Sequence, residues 1–393
     1  MELIDSLILV PPQDAAYHIE LLSCTVFDHI ASAAAAFSPQ RVFSRGLCAG
    51  KSEYAQCLAA DDLAGLVDAY LMASDAPSVL LVTKPSPALS PQTLNALALL
   101  AESANGSAVL RDGDEVLAVL LPRESLEAYD FGDFSDLSAT QLCEDLGAVA
   151  HDVSPDERHV VTDTVSAYYA QEVLRARINV YWMEQGVFLI DPNTTYISPL
   201  ARIGAGSVVL PGSFFNGRTR VGEGCRIGPN AFLQDAEIGD GVTVNSSQIF
   251  ESSVGDGTTV GPFAYIRPGC AVGKKARIGD FVELKKAQIG DGTKVAHLTY
   301  LGDITLGQRV NVGCGVVAVN YDGKTKHHST VGDDSFIGCN VNLVSPVEVG
   351  RGTYLAAGTT VTEAVPDESL CIGRVRATVK PGWVKKRRES GKL

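Results

Sequence analysis

Aliphatic residues recur every sixth place through the second half of the chain. Ile203, Val209, Phe215, Val221, Ile227 and Leu233 are six apart. After a slip of one come Ile238, Val244 and Phe250, and then Val254, Val260, Ile266, Val272, Ile278 and Leu284. Val331, Ile337, Leu343, Val349, Leu355 and Val361 resume the beat. No α-helix has this period, and no ordinary sheet sustains it for so long. A six-residue repeat predicts a parallel β-helix, three hexapeptides to a triangular coil, with the aliphatic position facing the prism. Coils then stack at about 4.8 Å, as strands in any sheet do. Glycine marks where this grammar begins: residues 1–185 hold seven glycines and the remaining 208 hold 31.

The first half reads as α/β. Short apolar runs, Leu7–Val10 and Val79–Val82, predict buried strands. Ala64–Ala73 and Thr164–Glu184 predict helices, the second long enough to be a connecting arm. The expected division is 1–160 an α/β domain, 161–190 a helical arm, 191–383 the β-helix and 384–393 a basic tail. By analogy with other hexapeptide-repeat proteins, the β-helix is expected to be left-handed.

At 393 residues and a net charge of −14, the chain lacks the basic surface that neutralises nucleic-acid phosphates. A small anionic substrate remains compatible, since a local basic pocket can sit in an acidic protein. The N-terminus lacks a basic, apolar signal segment, and no run approaches the ~20 apolar residues of a membrane span. Nine scattered cysteines without a C-x-x-C pair read as reduced thiols, which points to the cytoplasm.

One interruption breaks the repeat. Ala318 holds the last regular inward place and Val331 the next, 13 residues on where six would serve. The surplus must leave the prism as a loop, carrying Asn320, Tyr321, Asp322, Lys324, Lys326, His327 and His328. In solenoids such insertions map to the binding face; a solvated polar tip is the plainer reading. His297 precedes the loop by about one coil. Arg267 and Lys285 are 18 apart, so stacking should set them side by side, with His297 and Tyr300 on a neighbouring strand. Two cations beside a loop bearing a third, Lys326, suit a doubly charged phosphate. The plainer alternatives are a pair of surface charges and a structural histidine.

Six stretches carry a resemblance: GPFAYIRPG (261–269), FVELKKAQIG (281–290), HLTYLGD (297–303), NVGCG (311–315), NYDGKTKHHSTVGDD (320–334) and LAAGTTVT (355–362). Over roughly residues 177–383 the chain resembles a bacterial family, the bifunctional N-acetylglucosamine-1-phosphate uridyltransferase / glucosamine-1-phosphate N-acetyltransferases. The resemblance implies acetyl transfer from acetyl-CoA to the 2-amino group of glucosamine-1-phosphate, feeding UDP-N-acetylglucosamine synthesis, by a homotrimer whose pockets are shared between subunits. It makes His297 the general base. It puts Arg267, Lys285, Tyr300 and Lys326 on the sugar phosphate, and Asn311, Asn320 and Tyr321 on the sugar, amine or acetyl region. Cys314, Cys339, Ala357 and Arg374 fall on the acetyl-CoA side, where Cys314 and Cys339 replace the family's usual alanine and serine. No metal is expected for a thioester already activated.

The first domain departs from the family. The strand at Leu7–Val10 runs into PPQDAAYH rather than a glycine-rich phosphate cradle, and the first glycine is Gly46. Lys84 and Pro85 stand where a metal-holding aspartate is usual, and Thr162 where an asparagine is; a hard cation binds poorly without carboxylates. The expectation is a degenerate nucleotidyltransferase-like domain without uridyltransferase activity. Alternatives are another acceptor, such as galactosamine-1-phosphate or a nucleotide-linked amino sugar, and a non-catalytic regulatory subunit. A zinc site of the β-helical carbonic anhydrase kind fails on inventory, because adjacent His327 and His328 are poorly spaced for it.

Overall fold

The computed structural model describes residues 4–10, 15–37, 42–45, 56–58, 60, 62–130 and 145–392. Pro11–Asp14 and Gly46, on which the expected loss of a phosphate cradle partly rests, lie outside the described residues. The chain divides into two compact units, Met1–Glu184 with Thr195–Ala201, and Gln185–Thr194 with Arg202–Leu393.

The first unit is built on a mixed sheet. Its strands lie in the order Gln56–Leu58, Val42–Arg45, Ile4–Ile8, Ser78–Val82, Glu115–Pro122, Ala108–Asp112 and Val149–Asp152. The first four run parallel, and the long Glu115–Pro122 strand pairs antiparallel on both sides. Side-chain alternation along Ile4–Ile8 and beyond splits the apolar residues between two cores. Leu7, Leu9 and Leu81 pack with the helix Leu63–Ala73 on one face. Ile8, Val10, Leu80 and Val82 pack with the helices Val26–Phe37 and Pro91–Ala104 on the other. The helix Thr164–Glu184 joins this second core through Ala167, Ala170 and Leu174, spaced three and four apart on one stripe.

The second unit is a parallel β-solenoid of the left-handed hexapeptide kind, with short strands in three sheets, each strand pairing with the one a coil later. The sixfold aliphatic positions are its core: Val209, Val244, Ile266, Leu284, Ile337 and Leu355 are all fully buried. One place differs from the sequence reading. Ile249, not Phe250, faces the prism; Phe250 turns outward and stacks on Phe232 at 5.4 Å between ring centroids. The corners before and after Ile249 are each one residue tighter, so consecutive partners Thr243 and Thr259 are 16 residues apart rather than 18.

Among the described residues no helix is long and apolar enough to cross a membrane.

Candidate active site

The site begins at a strained corner. His297 ends the strand Lys294–His297, and Leu298 then turns the coil with φ of 45°. A left-handed conformation costs a branched residue about 1 kcal/mol or more, so neighbours must hold it. Thr299 does so from inside: its buried hydroxyl donates to the His297 carbonyl at 2.7 Å. The same corner is left-handed one coil earlier at Phe281 and two coils earlier at Phe263, and their rings stack at 5.4 Å.

Register places Asp280 directly opposite His297 on the preceding coil. Asp280 Oδ1 lies 2.6 Å from His297 Nδ1. The hydrogen bond with His297 holds the Asp280 carboxyl below the usual carboxylate range. An aspartate so held accepts Nδ1–H, which leaves Nε2 of the half-exposed ring with a free lone pair. The offset continues upward: Val295 pairs with Val312, Val312 with Ile337, and Ile337 with Leu355. Two residues further along each strand, one corner column therefore reads Asp280, His297, Cys314, Cys339 and Ala357. Arg374 reaches the end of that column, its Nη1 donating to the Ala357 carbonyl at 3.0 Å.

The adjoining sheet gathers the cations. Tyr265 pairs with Glu283 and Glu283 with Tyr300, which sets Arg267 beside Lys285 and Lys285 opposite Gly302. Arg267 Nη1 binds Glu283 Oε1 at 2.9 Å. Lys285 is largely buried and lies 3.5 Å from Asp303 Oδ2, which also accepts from Asn320 Nδ2 at 2.6 Å. Lys326 comes over from the inserted loop to meet Lys285. Contact with Lys285 pushes the exposed Lys326 below the ordinary lysine range, and Lys285 is held up by that same contact and by Asp303. That pairing has a neutral Lys326 amine accepting from the Lys285 ammonium; charging both would set like charges side by side, a repulsion that a dianion between them would relieve. Gly302 keeps the floor of this cluster open: a β-carbon there would overlap the Tyr300 hydroxyl and come within 2.7 Å of Asn320 Nδ2.

The loop braces itself. Asp322 accepts from the amides of Lys324 and Thr325, both at 2.8 Å, and from the His327 ring at 2.7 Å. These bonds, His327 first, pull its carboxyl well below the usual range. Tyr321 donates its hydroxyl to Gly323 O at 2.7 Å, and His328 Nε2 meets Thr305 Oγ1 at 3.0 Å. His327 and His328 thus act as struts of the loop. Among the described residues no three His, Cys, Asp or Glu side chains gather as metal ligands would.

The geometry brings Lys285, Lys326, Asn320 and Tyr300 into one cluster, with Arg267 alongside. Asn311 stands elsewhere, in the column of Lys294 and Phe336, and Tyr321 is turned into its own loop. Asp280, Glu283, Gly302 and Asp303 were missing from the sequence-derived site. Asp303 ends the HLTYLGD motif and Asp280 lies one coil before His297, so both carried a signal. In the first unit, Lys84 pairs with Glu115 at 3.2 Å, and Thr162 takes its amide to Ser166 Oγ at the start of the long helix.

Comparison with known proteins agrees with this architecture. The family model described as bacterial transferase hexapeptide (six repeats) matches residues 251–286 and 328–363. A protein named "Bifunctional protein GlmU" from Clostridium novyi (strain NT) is 50% identical over 259 residues, which is 66% of this chain and 56% of that protein. Its namesake from Clostridium acetobutylicum is 54% identical over 216 residues, 55% of this chain and 47% of that one. The chain therefore spans about half the length of the curated relatives it matches. A solved UDP-N-acetylglucosamine acyltransferase from Campylobacter jejuni is similar over 41% of this chain and 77% of its own, at 16% identity and a TM-score of 0.28. The resemblance read from the six motifs is thus to GlmU-like hexapeptide proteins.

Proposed function

We propose, from a β-helix that is GlmU-like over the stretch carrying the site, that this chain is an N-acetyltransferase. It moves acetyl from acetyl-CoA to the 2-amino group of glucosamine-1-phosphate, feeding UDP-N-acetylglucosamine synthesis in the cytoplasm. The observation that carries the reading is the 2.6 Å bond between Asp280 and His297 Nδ1. It fixes the tautomer in which Nε2 accepts a proton.

The chemistry follows from that lone pair. The amine nitrogen attacks the thioester carbonyl while Nε2 takes its proton. The tetrahedral intermediate expels the coenzyme thiolate, which takes the proton back from the imidazolium. Lys285, Lys326 and Arg267 hold the sugar phosphate, relieving the repulsion between the two lysines, with Tyr300 and Asn320 on the sugar. Asn311 and Tyr321 then serve the acetyl or sugar region. Cys314, Cys339, Ala357 and Arg374 line the acetyl-CoA side of the same column. A homotrimer with pockets shared between copies is part of the proposal.

The decisive assay mixes the full chain with acetyl-CoA and glucosamine-1-phosphate and follows release of free thiol. His297→Ala should lower the rate by about 10²–10⁴-fold, the usual worth of a positioned base. No release by the parent chain, or a fully active His297→Ala, would falsify the reading. Galactosamine-1-phosphate run in parallel assigns the acceptor by the larger kcat/KM.

Uridyl transfer is proposed to be lost from the first unit. The support is that Lys84 and Thr162 occupy the places of metal ligands and are engaged in an ion pair and a helix start. Pyrophosphate release from UTP and N-acetylglucosamine-1-phosphate with Mg²⁺ would overturn this part alone.

A further inference from the structure

Cys314 and Cys339 are 25 residues apart in sequence and one coil apart in space. Asn311 pairs with Phe336 and Val312 with Ile337. The register holds on the far side too: a β-carbon on Gly315 would strike Asn340, and the Asn340 amide donates to the Cys314 carbonyl at 2.8 Å. Cys314 is therefore bracketed by aligned pairs and faces Cys339. Their α-carbons are separated by one strand spacing, about 4.8 Å, inside the roughly 4.4–6.8 Å that a disulfide spans.

Both occupy the same position of the same outward corner, each directly after a glycine. Both are free thiols, Cys339 exposed and Cys314 half-buried. The other β-helix cysteines are placed differently. Cys225 is buried with its thiol donating to Gly239 O at 3.1 Å, and Cys270 is buried with its sulfur accepting from the Ala287 amide at 3.5 Å. Burial pushes both of those thiols up, away from the reactive thiolate. Cys371 pairs with the inward-facing Leu355 rather than with the corner.

We propose that Cys314 and Cys339 form a dithiol modification site, which a low-molecular-weight disulfide converts to an intramolecular disulfide beside His297. The exposed Cys339 thiolate attacks one sulfur of the reagent RS–SR. One S–S bond forms, one breaks, and RS⁻ leaves. The Cys314 thiolate then attacks the Cys339 sulfur of the mixed disulfide and expels the second RS⁻. The pair is oxidised by two electrons and RSSR is reduced to two RSH, which take up the two thiol protons. Cys314 is the next residue above His297 in the corner column, so the bridge, or the adduct before it, stands where the acyl donor must approach the base. That it halts acetyl transfer rests on the function proposed above; that it forms does not.

The test treats the full chain with oxidised glutathione, and in parallel with the disulfide of coenzyme A, then alkylates and maps peptides by mass. The expected product is one linked peptide joining Cys314 to Cys339, reversed by dithiothreitol. In parallel samples freed of reagent and not alkylated, thiol release from acetyl-CoA should fall by about tenfold or more relative to the reduced chain, as displacement at a reacting centre does. The double variant Cys314→Ala with Cys339→Ser, compared with its own reduced rate, should lose less than about half of it under the same oxidant. A stable glutathione adduct on Cys339 with Cys314 still free, or no linked peptide, overturns the proposal. A linked peptide in a chain without acetyl transfer keeps the dithiol site and removes the function it was placed in.

Discussion

Glu157 and His297 show how differently the two units use an ionisable side chain. Glu157 is buried; one carboxylate oxygen accepts from the Ser90 amide at 2.9 Å, and the other takes the Thr93 hydroxyl, closing the start of the helix Pro91–Ala104. Asp5, also buried, takes the hydroxyls of Tyr70 and Ser74. His29 is turned in against the Leu21 carbonyl at 2.9 Å. In the first unit the polar groups serve the fold, because helices and a twisted mixed sheet leave ends to be satisfied. In the β-helix each coil satisfies the backbone of the next, with corner aspartates such as Asp240 and Asp291 accepting the Glu223 and Lys274 amides at 2.8 and 2.7 Å. His297 at a corner and Lys326 on the inserted loop stand exposed, while Lys285, on a strand, is buried beside Asp303. A repeat fold thus separates what holds the chain together from what it presents to a ligand.

The sharpest way to break this comparison is to strike the backbone of a coil. Gly279, between Ile278 and Asp280, lies where an added β-carbon would run into the carbonyl of Ala296 on the next coil. That obstacle is main chain, with no flexible side chain to yield. Gly279→Ala should destabilise the β-helix by roughly 3 kcal/mol or more, read as a lowered denaturation midpoint. Gly65 in the helix Leu63–Ala73 is the counterpart in the first unit; its nearest neighbour is the end of a side chain, Asp62 Oδ1, at 3.1 Å. Gly65→Ala should move stability by no more than about 1 kcal/mol. Equal effects at the two sites would mean that stacked backbones do not carry the β-helix.

A smaller effect separates holding from presenting within the β-helix itself. At Gly302 the obstacles to a β-carbon are the Tyr300 hydroxyl and the Asn320 amide, both side chains. Gly302→Ala should therefore spare the fold, melting within a few degrees of the parent. It should raise KM for the sugar phosphate about tenfold while kcat falls less, since substrate placement and not the base is disturbed. A collapse in melting like that of Gly279→Ala would show that this corner is structural after all.

The sequence makes much of this visible, because the sixfold beat is a local signal. Val209, Ile266, Leu284 and Leu355 were readable as core from spacing alone. Coil length was not. Eighteen residues per coil places Arg267 beside Lys285, yet counting eighteen back from His297 lands on Gly279, one short of Asp280. The coil there has 17 residues between partners, set by how tightly its corner turns. Lys326 meets Lys285 only because the inserted loop folds back through Asp322 and His327, a path no period encodes. A tighter corner likewise puts Ile249, one place before Phe250, in the prism. In the first unit the apolar runs Val79–Val82 and Leu7–Val10 point to the strands Ser78–Val82 and Ile4–Ile8, the second starting three residues before its run and ending at Ile8, but the antiparallel placement of Glu115–Pro122 depends on pairing across the sheet.

The smallest expected effect tests the comparison through pH. Burial holds His29 below its ordinary value of 6.5. The folded first unit therefore carries a neutral ring, while the unfolded chain takes up a proton as pH falls below about 6.5. The stability this ring allows is complete above that value and declines below it, until the folded ring titrates as well. Carboxylates dominate on the β-helix. Asp280, Asp322 and Asp334 are held below their ordinary 3.8 by His297, His327 and Arg309 respectively. Their contribution is present above about 3.8 and is lost only as pH falls through the lower folded values. Acidifying from about pH 7.5 to about pH 5 should then lower the protection factors of amides in the first unit, measured against the slower intrinsic exchange at the lower pH, and leave the carboxylate contributions to the β-helix in place. His29→Gln, which keeps a donor for the Leu21 carbonyl but cannot titrate, should flatten the first unit's response. If β-helix peptides open first over that range, the polar groups of the two units are not divided as Glu157 and His297 suggest.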